Sequence, residues 1–196
     1  MRCIISSVRE QSFELSTLTD DPLDLSKHLP FRIAIVSNLL ALNRDYTIRK
    51  LSDLEPREMR VLLNIGSYMP IKAADIAYQS RIDSSNVSRA VKVLLAKGFI
   101  SAAADPTSKN IKYLSLTDSG AVLYKKLTAS LEPRANVLES VLSKEEQVSF
   151  YKSLRKIEEK AEQILAMQAL SFTEQGLPLP ADQKELLRWY KKSQGQ

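Results

Sequence analysis

Small polar and cationic side chains recur at helical spacing between residues 84 and 97. An α-helix places four of them on one stripe, at i, i+3, i+4 and i+7, namely Ser85, Ser88, Arg89 and Lys92. No aspartate or glutamate occurs in this stretch, whereas a solvated helix face usually carries acid–base pairs. Hydroxyl and cationic groups bind phosphates and base edges, so the stripe predicts a nucleic-acid surface. The competing interpretation is an ordinary solvated face, because short windows without acids are common in a basic chain.

The other side of this helix is aliphatic, and both of its ends are marked. Asp83 or Ser84 supplies a capping oxygen for the first turn. Lys97 suits the last turn, and Gly98 can take the left-handed conformation that ends a helix. The predicted buried stripe consists of Val87, Ala90, Val91 and Leu94.

The flanking segments predict the elements that position this helix. Residues 71–82 have a short helical pattern, and residues 80–83 form a tight turn into the next helix. Residues 99–105 and 110–117 have the composition of two strands, joined by turn residues that begin with Asp105-Pro106. The order helix, turn, helix, strand, turn, strand and helix predicts a winged helix-turn-helix, whose second helix enters the major groove of DNA.

An ordered set of motifs resembles the MarR-type transcriptional regulators. The set comprises LPFRIAIVSNLL, EPREMRVLLNI, VSRAV, KGFI, the Asp105-Pro106 turn and LSLTDSG, within about residues 29–165. The resemblance implies a mainly α fold with a small β wing, in which a winged helix-turn-helix DNA-binding lobe joins a helical dimerisation lobe. It also implies double-stranded DNA as partner, a homodimer, and a small-molecule effector, although the sequence does not identify effector-binding residues.

Candidate DNA-binding residues follow from the helix and the wing. Arg89 is suited to guanine O6 and N7, Asn86 to adenine, and Lys92 to phosphate. In this family the wing usually carries an acid followed by two arginines, but here those positions hold Ser108, Lys109 and Asn110. A lysine lacks the planar fork that favours arginine in a narrow minor groove, so a weaker wing contact is expected. The complete predicted set is Ser84, Ser85, Asn86, Ser88, Arg89, Lys92, Lys109 and Lys112.

The remaining chain divides into an arm, a dimerisation lobe and an extension. We expect a partly flexible N-terminal arm at residues 1–24 and a DNA-binding lobe at residues 55–116. The dimerisation lobe is expected to combine residues 25–54 with residues 117–166. A C-terminal extension with a short helix follows at residues 167–196. One long helix is expected over residues 26–49. Thr117 is expected to cap a later helix that starts at Asp118, and Pro133 is expected to kink or interrupt that helix. The extension's helix is expected to dock on the partner subunit.

A last long helix carries apolar residues close to a 3.5-residue repeat. Ser143 and Glu146 predict a capping box at its start. The repeat fits attachment to the chain's own core, but its length and late position favour association between two chains. We name this stripe the seam, and it consists of Val148, Tyr151, Leu154, Ile157, Ala161 and Ile164.

Composition and missing motifs restrict the function classes. The chain has 196 residues, a net charge of +5 and a pI near 9.2, which permits nucleic-acid binding. The sequence has a single cysteine, and it shows neither a signal-peptide pattern nor an apolar run long enough to cross a bilayer. It therefore predicts a cytoplasmic protein without membrane association. The sequence contains one histidine, and it has neither a phosphate-binding glycine loop nor a metal-ligand cluster. We therefore expect a protein that is not an enzyme and that has no catalytic residues, metal or cofactor.

These patterns predict a homodimeric, sequence-specific transcriptional regulator that acts as a repressor. Helix 84–97 and the wing at residues 105–110 would read a roughly palindromic site, and a small molecule would relieve binding. Two alternatives remain: a winged-helix protein-interaction module, and a nucleic-acid binder without sequence preference. Activation is also compatible, because its sign depends on where the site lies relative to a promoter.

Overall fold

The computed structural model describes residues 14–105 and 111–195, and it divides the chain into two compact units. The first unit, residues 1–46, contains helix α1 (Leu29–Leu40) and a 3-10 turn at Leu42–Arg44. Helix α2 (Tyr46–Arg49) follows. The prediction of one long helix over residues 26–49 is wrong, because Ala41 and Asp45 have extended ψ values of 130° and 110°. These conformations break the i to i−4 hydrogen-bond ladder twice.

The second unit, residues 47–196, contains the winged helix-turn-helix. Helix α3 (Pro56–Tyr68) is followed by β1 (Ile71–Lys72), α4 (Ala73–Ser80) and α5 (Ser84–Ala96). The wing strands are β2 (Ile100–Ala104) and β3 (Lys112–Leu116). Helix α3 packs against α4 and α5. The core that they enclose includes the buried side chains of Met59, Val61, Leu62, Ile65, Ile76, Val87 and Leu94.

The small sheet contains one more strand than the sequence pattern predicted. Its order is β1-β3-β2, with both pairs antiparallel, and Ile71 lies opposite Leu114. The prediction that Ile71 and Lys72 belong to the following helix is therefore wrong. A two-residue strand has no periodicity of its own, and it forms here because β3 supplies its hydrogen-bond partners.

Two long helices follow the wing, each with the predicted cap. Thr117 accepts a hydrogen bond from the Gly120 N–H at the start of α6 (Asp118–Glu139). A Cβ at Gly120 would lie 1.8 Å from the Phe99 carbonyl oxygen, so this close approach to the wing requires glycine. The capping box of Ser143 and Glu146 starts α7 (Lys144–Glu174). Helix α6 continues through Pro133, so the predicted interruption does not occur.

The chain ends in helix α8 (Ala181–Ser193), which packs against α7 of the same chain. These contacts are intramolecular, and the expectation that this helix docks on a partner subunit stays a prediction. No helix among residues 14–105 and 111–195 combines the length and apolar character needed to cross a membrane.

Candidate nucleic-acid interface

Helix α5 presents the predicted polar stripe to solvent while its opposite side closes the core. Val87, Ala90 and Leu94 are buried, and Asp83 accepts a hydrogen bond from the Asn86 N–H at 2.8 Å as the N-cap. Gly98 has the expected left-handed conformation, with φ at 70°. The exposed side consists of Ser84, Ser85, Ser88, Arg89 and Lys92.

The N-terminal turn of α5 holds Arg89 in a short hydrogen-bonded chain. The Arg89 guanidinium donates to the Asn86 side-chain oxygen at 2.6 Å, and the Asn86 amide nitrogen donates to Asp83. The Ser85 hydroxyl donates to the same aspartate at 2.5 Å. These bonds orient the guanidinium before any ligand arrives, and they engage both polar groups of the Asn86 side chain.

Asp83 is held in its charged form by this arrangement. The pKa of Asp83 lies below its ordinary value, because its carboxylate accepts hydrogen bonds from the Ser85 hydroxyl and from the N–H and side chain of Asn86. The nearby charge of Arg89 lowers the pKa further. A carboxylate that accepts hydrogen bonds is stabilised as the anion. The cap of α5 is therefore ionised at neutral pH.

Two arginines that the sequence reasoning missed lie beside the recognition helix. Arg57 and Arg60 of α3 and Arg89 of α5 line a common groove of about 590 Å³. The acids Glu55 and Glu58 also line it, and they form the capping box of α3. The sequence gave no sign of which neighbour the polar face of this helix would meet.

Ser84, one of the predicted DNA-binding residues, contacts the C-terminal helix. Its backbone N–H lies 3.0 Å from both carboxylate oxygens of Glu185, and its hydroxyl also donates to that carboxylate. Glu185 is only 7% exposed. A carboxylate is favourable at a helix N-terminus, because it satisfies a free N–H and complements the helix dipole. The sequence gave no signal for this pair, since its members are 101 residues apart.

Arg81 links the turn between α4 and α5 to helix α7. Its backbone is left-handed, with φ at 50°, at a position where the turn would favour glycine. Its guanidinium pairs with the buried Glu162 and lies 3.6 Å from the exposed Glu158. It also lies 4.5 Å from the centre of the Tyr78 ring. These contacts account for an arginine where backbone conformation alone would select glycine.

The structure describes only part of the predicted wing contacts. Lys112 begins β3, opposite Ala104, and its side chain is exposed. The predicted contact at Lys109, together with the departures at Ser108 and Asn110, lies outside the described residues. Within the described ranges, no group of His, Cys, Asp and Glu side chains is arranged to hold a metal ion.

The helix-turn-helix and wing coincide with a known family. The MarR family model matches residues 54–112, from the residues just before α3 to the start of β3. An uncharacterized HTH-type transcriptional regulator of Bacillus cereus is 30% identical over 111 residues, which are 56% of this chain and 74% of that protein. The chain belongs to the MarR family of transcriptional regulators. Its family and fold are those of regulators and not of enzymes.

Solved structures of MarR-type regulators share this fold. S. aureus MepR, solved as a DNA complex, has a TM-score of 0.60 and 21% identity, and the match covers 66% of this chain and 96% of MepR. PcaV from Streptomyces coelicolor, solved with its natural ligand, has a TM-score of 0.62 and 18% identity, and the match covers 72% of this chain and 99% of PcaV. These matches leave roughly a third of this chain without a counterpart.

Proposed function

We propose that this MarR-family protein is a homodimeric, sequence-specific DNA-binding repressor that reads a roughly palindromic site. The observation that carries the proposal is the exposed polar stripe of α5, where Arg89 is already oriented by Asn86 and Asp83. An arginine held in this way loses less conformational freedom when it binds guanine bidentately. Ser85 and Ser88 suit phosphates or base edges beside it, while Asn86 acts by positioning Arg89.

Phosphate contacts would come from cations around this stripe. Lys92 continues the stripe of α5, and Lys109 and Lys112 belong to the wing. Arg57 and Arg60 border the groove beside Arg89 and add positive charge at its edge. Such contacts fix the register of a protein on the duplex, whereas base contacts specify sequence.

The seam of α7 supports the homodimer. Val148 is 70% exposed and Leu154 is 36% exposed in the single chain, and Tyr151 and Ile164 are also exposed. Helix α1 likewise buries none of its residues. Apolar stripes of this extent favour association with a second copy. Two-fold symmetry would then direct two α5 helices at half-sites about one helical turn apart.

Relief by a small molecule is the regulatory part of this proposal. PcaV is a MarR-type regulator solved with its natural ligand, and it shares the fold. A ligand can lower DNA affinity only if it binds the DNA-competent dimer less tightly than the incompetent dimer.

Replacing Arg89 and Lys112 in turn separates base reading from phosphate binding. On a site selected from random duplexes, Arg89→Ala should cost about 1–3 kcal/mol of binding free energy and relax preference at one base pair of each half-site. Lys112→Ala should weaken all sequences alike and lower the salt slope by about one per contact. Fluorescence anisotropy titrations at several salt concentrations measure both effects.

Lys125→Ala provides the matched control, because it removes one exposed cation from α6 without changing α5 or the wing. It should leave sequence preference unchanged. If Arg89→Ala binds every base variant of the site as the wild type does, α5 does not read the sequence. If the wild type itself has no sequence preference, the protein-interaction alternative becomes the better account.

A further inference from the structure

One face of α8 is docked on the helix-turn-helix of its own chain. Three of its residues at i, i+4 and i+7 make the contacts. Glu185 binds the first residue of α5, and Trp189 lies 5.8 Å from the Arg81 guanidinium, within the range of a cation–π contact. Lys192 forms an ion pair with Asp75 of α4 at 2.5 Å. The helix therefore extends from the start of α5 along α4.

A second face of α8 is directed towards α7. Leu186 and Tyr190 are half-buried, and α8 packs along α7. Tyr190 and Ser193 line a cavity together with α7 residues such as Glu158 and Glu162. Helix α8 is thus fixed from two directions, which leaves a third side uncovered.

The uncovered side of α8 carries a cationic stripe. Lys184, Arg188 and Lys191 recur at i, i+4 and i+7, and all three side chains are exposed. None of them forms an ion pair with another residue in the described part of the chain. A helical projection puts this stripe about 100° from the face that binds the helix-turn-helix and farther from the face towards α7.

Neighbouring acids do not neutralise the stripe. Glu185 keeps its charge but is buried against Ser84, and Asp75 is paired with Lys192, so neither forms an ion pair with these cations. Asp182 is the acid in the first turn of α8. An uncompensated row of three cations is complementary to a phosphate backbone, whose charges also repeat at regular intervals.

We propose that Lys184, Arg188 and Lys191 bind the phosphate backbone of the same duplex, beside the major groove that α5 enters. The proposal rests on the proposed function, because it needs α5 in the groove. Continuity with α5 supports it: Lys184 is adjacent in sequence to Glu185, which binds the first residue of α5. The N-terminal residues of a recognition helix contact base edges, and the helix before it crosses the backbone. The stripe therefore starts at the DNA-facing end of α5 and follows α4.

The stripe adds affinity and footprint length without adding base discrimination. Each neutralised phosphate contributes about 0.9 to the slope of log K against log salt. Three contacts per protomer would contribute about 2–3 to that slope and on the order of 100-fold in affinity at 0.15 M salt.

The test is the full-length triple variant Lys184→Ala/Arg188→Ala/Lys191→Ala. On the selected site its salt slope should fall by about 2–3 per protomer. Its dissociation constant should rise on the order of 100-fold per bound protomer, by the same factor on scrambled DNA. In ethylation interference, phosphates outside the half-site should no longer affect binding of the variant, whereas phosphates at the centre of the site should still affect it. The matched control, Lys125→Ala/Lys126→Ala/Lys144→Ala, removes the same charge from α6 and α7 and should retain both slope and footprint.

Glu185→Ala tests the docking that positions the stripe. This change makes the protein more positive, so charge alone predicts tighter binding to DNA. Because α8 loses its bond to α5, we instead expect a lower salt slope and the loss of the outer footprint.

An unchanged slope and footprint for the first triple variant would overturn the proposal, as would equal losses in the control. Tighter binding by that variant or by Glu185→Ala would also overturn it, and would indicate that α8 restrains DNA binding. The wild-type titration distinguishes a failure of the α8 inference from a failure of the proposed sequence-specific DNA binding. If the wild type prefers its selected site while the triple variant matches it, only the α8 inference fails.

Discussion

Helices α5 and α7 each leave one stripe uncovered in the single chain, but the two stripes differ in chemistry. On α5 the exposed groups are hydroxyls and cations, and neighbouring side chains orient Arg89 through hydrogen bonds. On α7 the seam is mainly apolar, and its residues recur at regular spacing. A polar stripe gains binding free energy when bonds to a polyanion replace its bonds to water. An apolar stripe gains binding free energy when it packs against a matching surface and excludes water. The difference supports the proposal that α5 binds DNA and that α7 binds a second copy of the chain.

The largest expected effect comes from a charge placed in the seam. Leu154→Asp would bury two unpaired carboxylates, one from each copy, at the proposed interface. We expect the dimer to lose at least about 3 kcal/mol, and cooperative DNA binding to disappear with it. Sedimentation equilibrium measures the dissociation constant. Ser149→Asp on another side of α7 is the control and should stay dimeric, so equal behaviour of the two variants would contradict the assignment of the seam.

An intermediate effect is expected where the α4–α5 turn meets α7. Arg81→Ala removes the ion partner of Glu162, a side chain that is only 7% exposed. We expect a loss of about 2–3 kcal/mol in unfolding free energy, because the carboxylate would remain buried without its partner. Denaturant titration measures this loss. Glu158→Ala removes the exposed partner of the same arginine and should cost less than about 1 kcal/mol. Similar losses in the two variants would mean that Glu162 does not depend on Arg81.

The smallest effect is expected at the cap of α5. Asp83→Ala should cost about 1 kcal/mol of stability and loosen Arg89, whereas Ser85→Ala keeps the cap. Hydrogen bonding holds the pKa of Asp83 below its unfolded value, so its stabilisation is complete above the unfolded pKa and is lost as the pH falls through the folded pKa. Denaturant titrations at neutral and acidic pH should therefore give wild-type and Asp83→Ala curves that converge in acid. A constant difference between them would exclude an ionised cap.

Local sequence signals were sufficient for the recognition helix and for the caps of α5, α6 and α7. Asp83, Thr117 and Ser143 all bond to N–H groups within a few residues, so spacing alone identifies them. The aliphatic stripe of α5 was likewise readable from its period. The strand and turn composition of residues 99–117 predicted the wing, which β2 and β3 confirm, and the family match over residues 54–112 confirms the resemblance to MarR regulators.

Features that depend on distant partners were not readable. The strand at Ile71 and Lys72 exists only through pairing with β3, and the Glu185 bond to Ser84 spans 101 residues. The break at Ala41 has no proline or glycine to announce it. The role of Arg81 was not readable either, because its partner Glu162 lies on a helix far along the chain. The β1 pairing, the Glu185 bond and the Arg81 ion pair are tertiary contacts, which the residues around each position do not announce.

The most direct test of sequence-specific binding by a dimer is selection of binding sites from random duplex DNA with the purified protein, followed by titration of the selected sequences at two salt concentrations. We expect an enriched, roughly palindromic sequence whose preference over scrambled DNA survives at the higher salt. No enrichment, with weak binding that disappears as salt rises, would contradict a dimeric sequence reader and direct attention to a different use of the winged helix.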